Sequence, residues 1–304
     1  MSAEKAAGTS TSGSNHAGGA QSPGRQALRR LLRHRLAVAG IVVIVLLVVL
    51  AILGDEFRAY DQRLTLGTVN QAPGVLATSP LGTDALGRDI LSRLLVGGRI
   101  SILVAVLSVA LSTFVGVLVG VVAGYLGGRV DNLLMRFVDV VLSFPTILLL
   151  LVASAIVGPG VATLIVIIGA VSWAPASRIV RGQTLALRES TFIEAARVVG
   201  VSNGRVIVTH ILPNIVAPVI VFATFGIASV IIFEAGLSYL GLGVQPPTPS
   251  WGNMINVARS ITVLERYPWQ WAFPAACIVL MVLAVNFVGD GLRDAFDTRS
   301  TSNR

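Results

Sequence analysis

Long apolar runs, separated by polar stretches of unequal length, organise this chain. Six of them stand out, at 36–54, 102–126, 137–157, 161–175, 215–234 and 271–288. A helix crossing a hydrocarbon core of about 30 Å needs about 20 apolar residues. The first run meets that length without a charge, directly after Arg25, Arg29, Arg30, Arg33 and Arg35. A cleaved signal peptide has the same basic front. Its apolar region is only about 7–15 residues, however, and it ends in an Ala-x-Ala cleavage pattern that is missing here. The fourth run is the shortest, because Pro175 ends it. The pattern predicts six transmembrane helices and an all-α, polytopic membrane protein.

The interruptions differ in character. Residues 1–24 are rich in Gly, Ser, Ala and Thr, and they cannot bury enough apolar surface to offset the entropy of ordering. They are read as a disordered cytoplasmic tail. Three connecting stretches are long, at 55–100, 176–214 and 235–270, and the last contains VQPPTPSWG, too rich in proline for a regular helix. The chain is divided accordingly. Residues 25–100 hold the first helix and an extracytoplasmic segment. Residues 101–290 form the transmembrane domain with its loop at 176–214, and 291–304 form a cytoplasmic C-terminal tail.

Composition sharpens this picture. Of 304 residues, 54% are hydrophobic and 12% are charged, against roughly 25% charged in a soluble domain. That excludes a disordered chain and argues against a soluble one. The net charge of +8 reads as a topology signal rather than as nucleic-acid binding. With the N-terminus inside, 16 basic residues fall on the inner side and 7 on the outer. This predicts a plasma-membrane protein with both termini cytoplasmic. Cys277 is the single cysteine, so no intrachain disulfide framework forms. Lys5 is the single lysine and follows Met-Ser-Ala-Glu, so there is no phosphate-binding loop of the Gly-rich, Lys-terminated kind. If ATP drives this protein, another chain hydrolyses it.

The loop at 176–214 carries the most information. Connectors in compact bundles are usually short, so nearly 40 residues imply a role. Thr191-Phe192-Ile193-Glu194 has the form of a helix capping box. Ala195, Ala196 and Gly200 follow on roughly one helical face, where small residues admit another backbone. Gly200 is placed to end that helix, and Ser202-Asn203-Gly204 to turn the chain. A second amphipathic stretch, 205–212, is expected to stop at Pro213. The residues leave two readings open: a dock for another protein, and a membrane-surface helix with its arginines at lipid phosphates.

Glu194-Ala195-Ala196, Gly200 and then His210-Ile211-Leu212-Pro213 resemble the EAA loop of ABC importer permeases. The general pattern has an apolar residue at the place of His210; a histidine there resembles the peptide and nickel subgroup. Three more stretches resemble the second permease type of that subgroup: 80–101 (PLGTDALGRDILSRLLVGGRIS), 235–255 (AGLSYLGLGVQPPTPSWGNMI) and 286–299 (NFVGDGLRDAFDTR). The resemblance implies a type I ABC importer transmembrane domain. It also implies partners: a homologous second permease, two ATPase subunits, an extracytoplasmic substrate-binding protein and membrane lipid, with no nucleic acid. It implies no catalysis and no cofactor in this chain, ATP and Mg being bound by the ATPase subunits. Glu194, Ala195, Ala196, Gly200, His210, Leu212 and Pro213 become the ATPase-coupling element. Peptides are the implied cargo, with nickel or another small solute as the alternative.

Other residues carry less. Asp139 lies two residues into the third run, where it is either a pathway group or a helix-end charge within reach of headgroups or Arg136. Glu234 has the same two readings at the outer end of the fifth run. Asp290 and Asp294 read as a solvated helix end with Arg293. Gly87-Arg88-Asp89 reads as outer-face structure and a candidate docking point for a binding protein. Gly116, Gly120 and Gly124 recur every fourth residue, a spacing that permits close helix packing. His16, His34 and His210 all fall inside by this topology, which weighs against a path for bare transition metals. A secondary transporter or channel is the reading from another class. It calls for internal repeats, broken helices and mid-span charges, and neither a repeat nor a mid-span acid pair is evident. An intramembrane enzyme finds no H-E-x-x-H.

Overall fold

The computed structural model describes residues 28–57, 68–74 and 79–296. The tail expected at 1–24 and the last residues of the C-terminal tail lie outside these. The described residues are helical, with one isolated bridge between Thr83 and Asp89. We number the helices α1 Arg35–Phe57, α2 Ile90–Leu126, α3 Gly128–Leu142, α4 Thr146–Val157, α5 Val161–Val171, α6 Ala174–Arg188 and α7 Thr191–Val198. Then follow α8 Asn203–Tyr239, α9 Trp251–Ile255, α10 Ile261–Arg266 and α11 Trp269–Phe296.

Among the described residues, four helices, α1, α2, α8 and α11, are long and apolar enough to cross a membrane alone. The expected third and fourth spans are not continuous helices. The third is broken between α3 and α4 with a bend of 83°, and the fourth between α5 and α6 with a bend of 42°. Each bent pair counted as one span restores six. The first break has a local cause. Pro145 has no N–H to donate, and it pushes Phe144 away from helical geometry. At the second break the Ser172 N–H closes α5 on the Ile168 carbonyl, and Pro175 sits in the first turn of α6, where a missing N–H costs nothing.

Small residues set the packing of the bundle. A Cβ added at Gly116 would lie 2.5 Å from the Ala176 Cβ, at Gly120 2.6 Å from the Ser177 carbonyl, and at Gly124 2.8 Å from the Thr184 Cβ. α2 thus presents one residue in four to α6, and α6 runs parallel to α2 at backbone contact. On the other side, Gly40 of α1 meets the Ala284 carbonyl and Gly291 of α11 meets the Ala37 Cβ, so α1 and α11 pair antiparallel. The main core joins Val104, Leu150, Ile168, Ile231 and Trp251 from five separate segments. The flanking apolar residues of α1, Val42, Val45, Leu46 and Leu53 among them, stay exposed, as expected of a lipid-facing surface.

Candidate functional site

The loop singled out by its motif forms a protruding helix, α7, at one end of the bundle. Its start differs from the expected capping box. Thr191 is the first helical residue and Ser190 takes the cap position. The Ser190 hydroxyl turns back to the Leu187 carbonyl at the end of α6, so neither half of the Thr191–Glu194 box forms. The Ser190 carbonyl accepts instead from the N–H groups of Ile193 and Glu194, both at 3.1 Å. The end of α7 is as expected. The Val201 N–H bonds the Ala196 carbonyl at 3.0 Å and the Gly200 N–H bonds the Arg197 carbonyl at 2.9 Å. Gly200 has φ +83°, the left-handed geometry this stop requires.

Three contacts mount α7 on the bundle. Ile193 is wholly buried among Val121, Tyr125, Val180, Val206 and Ile211. The Arg197 guanidinium sits 4.9 Å from the Tyr125 ring centroid, a cation–π geometry. Tyr125 in turn donates to Asn203 Oδ1 at 2.8 Å, tying α2 to the start of α8. The Phe192 ring meets His210 edge-on at 6.2 Å.

The sequence-derived coupling residues therefore gather at one end. Glu194, Ala195 and Gly200 are exposed and Ala196 is half-buried. His210 is half-buried inside a π-helical turn, Ile207–Ile211, Leu212 packs on the same cluster as Ile193, and Pro213 is exposed. The second stretch does not stop at Pro213 as expected. It runs on through the π turn within α8, the wider turn falling just where proline withholds a donor. Sequence reading overlooked the bulky part of the surface: Phe192 is exposed, and Val198 and Val199 are 83% and 82% exposed. Apolar residues facing away from the Ile193 side were the available signal.

At the opposite end, Glu234 is completely buried. It accepts hydrogen bonds from Ser101 (3.0 Å), Ser238 (2.8 Å) and Ser250 (2.8 Å). Each of these hydroxyls also accepts a backbone N–H, from Trp251, Val244 and Asn253 respectively, all at 3.1 Å. The carboxylate thus gathers α2, α8 and the loop leading into α9, a structural duty that favours neither of its two sequence readings outright. Nearby, Asp84 pairs with Arg88 and Arg93, and it accepts the N–H groups of Leu86 and Arg88 at 2.9 Å. Burial raises its pKa, but the two guanidiniums and two N–H donors outweigh that and hold it below the ordinary carboxylate value. Asp89 caps α2, accepting the Ser92 N–H at 2.9 Å. Gly87-Arg88-Asp89 is thus part of a folded turn. Asp139 pairs with Arg178 of α6, not with Arg136, and both partners are about half-exposed.

An all-α bundle with four whole and two bent spans, one protruding helix and a hydrogen-bonded cap at the far end defines a polytopic membrane protein. Residues 116–302 match the family described as the binding-protein-dependent transport system inner membrane component, and 22–73 match the N-terminal TM domain of oligopeptide transport permease C. The chain belongs to that inner-membrane component family and is an integral inner-membrane protein. It is 44% identical to a Brucella suis protein named as a peptide permease, over 92% of this chain and 93% of the relative. It is 43% identical to the oligopeptide transport system permease protein OppC of Escherichia coli K12, over 90% and 91%. To the glutathione transport system permease protein GsiD of Shigella flexneri it is 44% identical, over 92% and 91%.

Proposed function

We propose that this chain is one half of the translocation path of an ATP-driven importer of short peptides, and that α7 is its coupling helix. The observation carrying the proposal is the mounting of α7: an exposed apolar knob, Phe192, Val198 and Val199, on a helix held rigidly by Ile193 and by Arg197 over Tyr125. Such a knob has no use in water and suits a groove on another chain. The partners are a second permease, two ATPase subunits and a solute-binding protein, with ATP and Mg held by the ATPases. The α7 end then faces the cytoplasm, where both termini lie, and the Glu234–Asp84 end faces the binding protein. Peptide cargo draws support from relatives named for oligopeptides and for glutathione, itself a tripeptide.

The test is copurification and uptake. ATPase chains are expected to copurify with the tagged chain, and labelled di- and tripeptides to enter proteoliposomes only with ATP. Ala196→Trp is expected to abolish both ATPase association and uptake while the two permeases stay paired. Normal association and uptake by that variant would overturn the coupling role, and uptake without any ATPase chain would overturn the class.

A further inference from the structure

Two of the six expected spans are interrupted within the bundle, and both interruptions border the same cavity of about 290 Å³. Leu142 and Thr146 contribute from either side of the first break, Ser172 and Pro175 from the second. The remaining wall comes from α2 and α8, where Val109 and Phe222 each lie one residue from the midpoint of a 37-residue helix. On α8 the lining runs on from Phe222 to Phe233, so the cavity extends from mid-helix toward the Glu234 end. Interrupted backbone at membrane depth is tolerated only where protein buries it or where it lines a cavity, and in secondary transporters such breaks form solute sites.

The wall chemistry limits what can enter. Among the described residues, no Asp, Glu, Lys, Arg or His lines the cavity. An ionised peptide terminus would find no opposite charge on this wall to offset even partial loss of its hydration. An apolar side chain loses nothing. The volume lies at the lower edge of the range of roughly 300–1,000 Å³ typical of sites for drug-sized ligands, enough for one bulky side chain with its adjoining amide. Ser112 and Ser229 line the wall, and their hydroxyls donate to the carbonyls of Val109 and Phe225. Their oxygens keep lone pairs for a peptide N–H.

We propose that this cavity receives one apolar side chain of the peptide cargo in transit, with the charged termini outside it, and that its size selects among side chains. The breaks at 143–145 and 172–173 make that size adjustable, since a change in either bend moves a wall. The inference rests on the peptide reading above.

The test uses the complete importer in proteoliposomes and a tripeptide series differing only in a central Gly, Ala, Leu or Phe. A Cβ at Gly226 would stand 3.4 Å from the Val109 methyls, an ordinary contact, so the rest of a leucine side chain there enters the cavity. Gly226→Leu, and independently Ser229→Leu at an exposed lining position, are expected to lower uptake of the Leu and Phe peptides at least about tenfold relative to the Gly peptide. Affinity of the isolated binding protein for the series is measured alongside and stays the same, since that chain is unchanged. If wild type transports the series and the variants lose all members equally, or none, the cavity assignment fails and the peptide reading stands. If wild type transports no member, the peptide reading fails and takes the assignment with it.

Discussion

The Ser101 hydroxyl lies 3.0 Å from the Glu234 carboxylate although 133 residues separate them in the chain. Ser101 also accepts the Trp251 N–H at 3.1 Å. With its oxygen receiving that donor, its own hydrogen is committed to Glu234. The same relay recurs at Ser238 and Ser250. Glu234→Gln keeps one oxygen for two hydroxyls but turns an amide NH₂ toward the third or leaves it unpaired. Thermal unfolding in detergent is expected to show a loss of about 1–3 kcal/mol, with Glu234→Ala worse. An unchanged midpoint for Glu234→Gln would show that the three serines do not depend on the carboxylate.

Helix proximity makes a sharper prediction. A Cβ at Gly120 meets the Ser177 carbonyl at 2.6 Å, and that carbonyl belongs to a helix backbone that cannot step aside. Gly120→Ala is expected to destabilise by about 1–3 kcal/mol, and Gly120→Leu to prevent folding. Gly182→Ala on α6 is the control, because nothing lies within 4 Å of its added Cβ; there the change is expected to be neutral or mildly stabilising. Equal effects at the two positions would contradict the packing of α2 on α6.

Acid should act on the Asp84 turn in a definite direction. Its folded pKa lies below the ordinary value of 3.8. The stability it contributes is therefore complete above that value and lost as pH falls through the lower folded pKa. Arg93→Gln removes the largest of the opposing influences, leaving burial to push the carboxyl up. Acid destabilisation, followed by thermal unfolding against pH, is expected to begin at higher pH in Arg93→Gln than in wild type. Superimposable acid profiles would contradict this.

The α7 mount separates stability from coupling. Ile193→Ala empties a fully buried site and should cost about 2–5 kcal/mol locally, seen as faster hydrogen exchange through 191–201. Gly200→Ala meets no neighbour within 4 Å but must adopt φ +83°, a cost of about 1–2 kcal/mol. Gly200→Asn should recover much of it, because asparagine tolerates that geometry. If Gly200→Ala and Gly200→Asn lose protection equally, backbone conformation is not what selects glycine there.

The run lengths at 36–54, 102–126, 215–234 and 271–288 were legible as spans because hydropathy alone decides whether a helix can lie in lipid, and the four helices contain these runs and extend beyond them. Gly200 as a stop was legible because the requirement is local. The Gly116–Gly124 spacing announced a close neighbour without saying which. The capping box failed for a reason the motif cannot contain: Ser190 bonds the preceding helix end instead. Asp139 looked within reach of Arg136 in sequence, yet Arg178 stands opposite it in space.

By itself, then, the chain's order of apolar and polar residues determined an all-α membrane bundle and the helix stop at Gly200, since each depends on neighbours within a few turns or on the solvent. Tertiary structure alone decided where two spans break around a shared cavity, which helix lies against the glycine stripe, and that Glu234 gathers serines from positions 101, 238 and 250. Those outcomes depend on which side chains meet across the bundle, and a buried polar group takes whatever donors the packing delivers.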